Sequence, residues 1–266
     1  MLLRNVFTKT VRDLRWPTFW VSLGMGGMTA YFALLYPTYA RVLDLDSLLA
    51  KLGPAAKLFG AEIGDASSLV GFLHIELFSM ILPALMIAFA AGAASGFTAG
   101  EESRGTIDVL LSYPVSRRRI VLEKWLAVML ACTVAAAVVW VMALAGAAAS
   151  GSTLPPDKLA AALVMLILLS FDFGSLALAI SAYSGNRAAS IGIAIALMVA
   201  MYLADVLAAI VDGLGAIQPL SLFRYYMGND PLRNGVSPAD VGVLVAVAAV
   251  LLVASLVAFE RRDLAA

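Results

Sequence analysis

The sequence predicts an all-α integral membrane protein with six transmembrane helices, and three observations lead there. First, 62% of the 266 residues are hydrophobic and only 14% are charged. A soluble domain carries ~25% charged residues, and a water-facing surface cannot be built from so few. Second, the charges are gathered between long apolar stretches: 16–40, 77–100, 125–156, 159–186, 188–211 and 241–259 contain no charge except Asp172 and Asp205. Each matches the ~20 apolar residues that cross ~30 Å of hydrocarbon. Third, these stretches lack the period-two alternation of a membrane barrel strand, so helices are expected. Zero net charge implies no attraction to nucleic acid. Cys132 is the only cysteine and His74 the only histidine, so neither an intrachain disulfide nor a multi-histidine metal site is expected.

A single transmembrane domain over 1–266 is predicted, and its elements follow in order. Residues 1–15 place Leu3, Val6, Phe7, Thr10, Val11 and Leu14 on one helical face, with Arg4, Lys9, Arg12 and Asp13 on the other. This is the pattern of an amphipathic helix lying in the headgroup layer. Trp16-Pro17 is expected to break it before the first span, 17–39. That span is too long for a signal-peptide core, and no A-x-A site closes it, so it is read as retained. In the outer segment 37–70, Leu45, Leu48, Leu49 and Leu52 follow a cap at Asp46 or Ser47 and suggest a surface helix. The second span, 72–99, begins with His74 and Glu76 at the interface. It ends with Gly92, Gly96 and Gly100, a ridge without side chains on which another helix can pack closely.

Ser116 can cap the third span, 118–148, with Arg117, Arg118, Arg119 and Lys124 at headgroup level. The fourth span, 158–183, contains Asp172, and a tight turn ending in Arg187 leads to the fifth, 188–211, with Asp205. The outer segment 212–238 carries Phe223, Tyr225 and Tyr226, a candidate outer gate or an interfacial aromatic belt. Ser237, Pro238 and Asp240 supply cap, first-turn proline and first-turn acid for the sixth span, 239–259. Segments on the side of both termini hold 12 of the 18 Lys and Arg. By the positive-inside rule both termini are cytoplasmic, in the inner membrane.

One segment concentrates charge. Positions 101–124 hold nine of the 36 charged residues, opening with Glu101, Glu102 and Arg104 and closing with Arg117, Arg118, Arg119, Glu123 and Lys124. Between them Ile107, Leu110 and Leu111 share one face of a short helix that Pro114 ends. The run A-G-E-E-S-R-G-T-I-D-V-L-L-S-Y-P-V-S-R-R-R-I-V-L-E-K resembles the signature loop of permeases of the type-2 ABC transporter family. The likeness rests on Glu101, Glu102, Gly105, Thr106, Leu110, Leu111, Pro114, Ser116, Arg117 and Lys124. The wider layout is similar too: amphipathic N-terminal helix, six spans, and an aromatic stretch, 220–226, before the last.

That resemblance implies that 101–116 is a coupling loop docking into a groove on a separate ATPase subunit, with Arg104 and the glutamates at its rim. It implies two ATPase copies, which would carry the ATP and Mg, and a second permease chain, most simply another copy. The chain itself has no G-x-x-x-x-G-K-[ST] phosphate loop, so no cofactor and no catalytic site are expected in it. The expected function is export of a hydrophobic or amphipathic substrate: a drug, lipid or peptide. Two alternatives stay open: an ion-coupled secondary transporter using Asp172, and a mechanical transmitter to extracytoplasmic partners. A charge at the depth of Asp172 costs ~2.5–3.5 kcal/mol. Asp172, Ser175 and Asp205 therefore either line a path or form polar contacts between helices.

Overall fold

Hydrocarbon offers a backbone no hydrogen-bond partner, so each apolar stretch must satisfy its own N–H and C=O groups, which a helix does. The computed structural model describes residues 6–42, 51, 68–96, 116–211 and 213–261, and among them no strand occurs. The chain runs through α1 (Val6–Val42), α2 (Leu69–Leu73), a π-helical turn (His74–Phe78), α3 (Ile81–Ser95), α4 (Arg117–Ala149) and α5 (Pro156–Ser184). Then come α6 (Arg187–Ile210), a 3-10 turn (Gly215–Leu220), α7 (Leu222–Met227), α8 (Pro231–Asn234) and α9 (Pro238–Arg261). Five of these helices, α1, α4, α5, α6 and α9, are long and apolar enough to cross a membrane. The segment from α2 to α3, bent by 42° at its break, passes the same test as a pair and brings the spans to as many as six.

Local chemistry sets the helix ends. Ser116 Oγ accepts from Arg119 N at 3.4 Å and Ser237 Oγ from Asp240 N at 3.4 Å, as the sequence led one to expect. Asn186 Oδ1 accepts from Ala189 N at 3.0 Å and starts α6. Between α5 and α6, Gly185 takes the left-handed conformation at φ 64°, which a residue without a Cβ adopts at no steric cost.

Two layers of packing organise the bundle. α5 is the central helix, contacting α3, α4, α6, α7, α8 and α9. α1 packs chiefly against α4, and the pairing keeps one register along its length. Phe7 N donates to Glu123 at 3.0 Å, a separation of 116 residues. The same offset relates Gly26 to Met142 and Ala30 to Gly146. At Gly146 the helices nearly touch: a Cβ there would lie 2.8 Å from the Ala30 carbonyl oxygen and 2.9 Å from its Cα.

The structure departs from the sequence reading at several points. α1 runs unbroken from Val6 through Pro17, so Trp16-Pro17 does not separate 6–15 from the first span. One proline removes a single ladder bond, which packing against α4 outweighs. At the two described positions of the glycine ridge no other helix backbone packs closely: a Cβ on Gly92 would meet nothing within 4 Å, and one on Gly96 would meet mainly carbonyls of its own helix. Lys124 is buried, about two turns inside α4 and not at the headgroup level the sequence reading gave it. Residues 1–5, the outer leucines 45, 48, 49 and 52, and Gly100 lie outside the described residues.

Candidate functional site

The bundle has two polar ends. We call the base the end where α3 stops and α4 starts, and the crown the end bearing α7 and α8. The loop between Gly96 and Ser116 leaves from the base. Its predicted contact residues Glu101, Glu102, Arg104, Gly105, Thr106, Leu110, Leu111 and Pro114 lie outside the described residues, as does the side chain of Arg117. What the structure describes is how the two helix ends flanking that loop are held.

Each flank is tied to other spans. At the end of α3, Ser181 Oγ of α5 donates to Ser95 O at 3.1 Å. From the start of α6, the Arg187 guanidinium donates to Gly92 O at 3.2 Å. Last-turn carbonyls have no intrahelical partner, and a cation there also complements the helix dipole. At the start of α4, Arg118 forms a two-point ion pair with Glu260 of α9, its second contact at 2.8 Å. Glu123 accepts from Phe7 N of α1 at 3.0 Å and from Arg119 Nε at 2.7 Å. The flanks of the loop thus reach α1, α5, α6 and α9. Sequence reasoning placed Arg187 in a tight turn, but its target is 95 residues away and no local pattern points to it.

Inside the bundle the three predicted polar residues separate. Asp172 is fully buried, and neither carboxylate oxygen has a hydrogen-bond partner among the described residues. Of the two readings left open for Asp172, a hydrogen bond to a neighbouring Ser, Thr or Tyr is not seen among the described residues. Ser175 is a structural knot: its hydroxyl accepts from Trp125 Nε1 of α4 at 2.8 Å, and its carbonyl from Ser255 Oγ of α9 at 3.3 Å. Asp205 faces Gln218 and the positive charge of Arg224 near the crown, which fits a structural contact. A cavity of about 310 Å³ lies elsewhere, between α1 and α4.

At the crown the aromatic segment is packed inward. Phe223 and Tyr226 are buried, and the Phe223 ring meets Tyr202 and Tyr226 edge-on at 5.4 and 6.1 Å. Tyr226 OH donates to Phe78 O at 3.0 Å, while Tyr225 OH donates to Pro219 O at 3.0 Å in an exposed position. Burial raises the Tyr226 hydroxyl pKa, so it remains a donor. Phe78 ends the π-helical turn, just before the bend in the second span. His74, on that turn, lies 3.6 Å from Asp230 of the crown. Sequence reasoning missed this break. Its signal was Pro83, inside the run 77–100: its ring conflicts with the carbonyl of Ser79, so a helix tends to restart ahead of it.

A comparison with curated proteins gives no match. A family model described as ABC-2 family transporter protein matches residues 19–264, including the whole of the loop 101–116. With its helical spans and the motif in that loop, the chain belongs to the ABC-2 transporter family and is a multi-pass membrane permease component.

Proposed function

We propose that this chain is the permease subunit of an ATP-driven exporter in the inner membrane, both termini cytoplasmic, working as a homodimer with two copies of a separate ATPase docked on 101–116. The supporting observation is the wiring of the base. The two helix ends that flank the loop are joined to α1, α5, α6 and α9 through Glu123, Ser181, Arg187 and Arg118. A displacement of the loop would therefore be felt by all the spans and not by its neighbours alone. The substrate class that suits an interior with few fixed charges is hydrophobic or amphipathic: a drug, lipid or peptide.

A second copy is supported by α6. Ala188, Gly192, Ala196 and Ala200 recur every fourth residue on an exposed face, continued by the half-exposed Ala204 and Ala208. Small residues at this spacing let helix backbones approach in a membrane.

The test is co-reconstitution with a candidate ABC-type ATPase subunit. Glu101→Ala and Gly105→Pro should each lower permease-dependent ATP hydrolysis about ten-fold while leaving the protein folded. Unchanged hydrolysis in both variants overturns the coupling assignment. Buried, unpartnered Asp172 favours one rival, an ion-coupled secondary transporter. That reading requires gradient-driven flux without the ATPase, abolished by Asp172→Asn. Hydrolysis that stays coupled without any flux is the signature of a mechanical transmitter.

A further inference from the structure

The groove between α1 and α4 lies outside everything assigned so far. It is lined by residues from Val11 to Ser22 on α1 and from Ala127 to Val138 on α4, and it encloses about 310 Å³. Both stretches cover eleven steps, so at ~1.5 Å per residue the groove is roughly 16 Å long. That is about half of the ~30 Å hydrocarbon thickness, one leaflet's depth. The groove stops one turn before Gly26, where a Cβ would press on Met142 and Val138.

Its shape selects among occupants. A space of about 310 Å³ drawn out over that length is a narrow, half-open groove. It admits a slender chain but not a whole helix, whose diameter with side chains is ~10–12 Å. The wall is apolar even where the sequence is not, because Ser22 Oγ turns back to Thr18 O at 2.6 Å. At the base end the lining changes character. Arg15 stands there, its guanidinium 5.8 Å from the ring centre of the exposed Trp16. Arg12, one turn nearer the base, is also exposed. Among the described residues no carboxylate pairs with either arginine. An apolar slot one leaflet deep, with an arginine at its headgroup end that is unpaired among the described residues, complements one acyl chain and the phosphate of a single lipid.

We propose that this groove is a binding site for one anionic phospholipid of the leaflet at the base, its acyl chain between α1 and α4 and its phosphate on Arg15. The site does not depend on the transport reading. It requires only that α1 and α4 span the membrane.

The test is native mass spectrometry of the full-length protein. The protein is first reconstituted in vesicles of equal phosphatidylglycerol and phosphatidylcholine, then extracted in mild detergent. Wild type should retain one phosphatidylglycerol per chain, at least five-fold over phosphatidylcholine. Arg15→Gln should abolish that preference. Leu130→Trp, which fills the groove from an exposed position, should lower total retained lipid at least five-fold. Val141→Trp, also at an exposed position of α4 but outside the groove, should retain lipid as wild type does. Equal retention of the two lipids by wild type overturns the proposal, as does unchanged phosphatidylglycerol in both groove variants. So does a Leu130→Trp variant that loses its dimer and not its lipid, since the groove would then hold a second copy of the chain.

Discussion

Tyr226 and Tyr225 are neighbours with opposite burdens. The Tyr226 hydroxyl satisfies Phe78 O in a buried position, whereas Tyr225 meets Pro219 O at the surface. A buried acceptor left without its donor costs about 1–3 kcal/mol. Tyr226→Phe should therefore lower thermal stability in detergent by several degrees, and Tyr225→Phe should change it little. Equal shifts would sink this account of the crown. The contrast between residues also marks what the sequence could disclose. Asp172 stands out in any reading because a charge interrupts an apolar run. Ser175 does not, since its importance comes from Trp125, 50 residues away, and a serine in a membrane helix is unremarkable until its partner is known.

Among the elements, the helix starts were legible because capping is local: Ser116 and Ser237 act on backbone amides three residues on. Element continuity was less so. The sequence reading places a break at Pro17, where the helix continues, and none near Pro83, where the second span bends. Packing against α4 carries α1 through Pro17, whereas the bend in the second span goes with a local signal, the conflict between the Pro83 ring and the Ser79 carbonyl. The glycines show the same limit. A ladder at 92, 96 and 100 is conspicuous in the sequence, yet the described glycine pressed against the backbone of another helix at under 3 Å is Gly146. Overpacking such a contact costs about 1–3 kcal/mol. Gly146→Val should separate α1 from α4 and expose Cys132, the single, fully buried thiol of α4. Its rate of maleimide labelling should rise several-fold, while Gly24→Val, with open space at its Cβ, should leave the rate unchanged.

Across the whole molecule, composition and charge placement were enough to predict a helical membrane protein, and the motif in 101–116 pointed to its family. The tertiary ties of the base were not readable, because each joins residues far apart in the chain. Assembly can be probed at this scale. Ala196→Leu with Ala200→Leu should weaken self-association in nanodiscs at least five-fold, measured by light scattering. Cys132 should stay protected, which separates lost assembly from lost fold.

The constant 116-residue offset between α1 and α4 has a mechanical meaning. Two rods fastened at intervals along their length resist flexing more than the same rods side by side, because neither can slide past the other. A push delivered at the foot of α4 arrives at its far end with α1 moving in step. The second span, interrupted at His74–Phe78, has a joint where α4 has a brace. The same push through α3 is taken up at that joint, and what lies beyond it can keep its own timing.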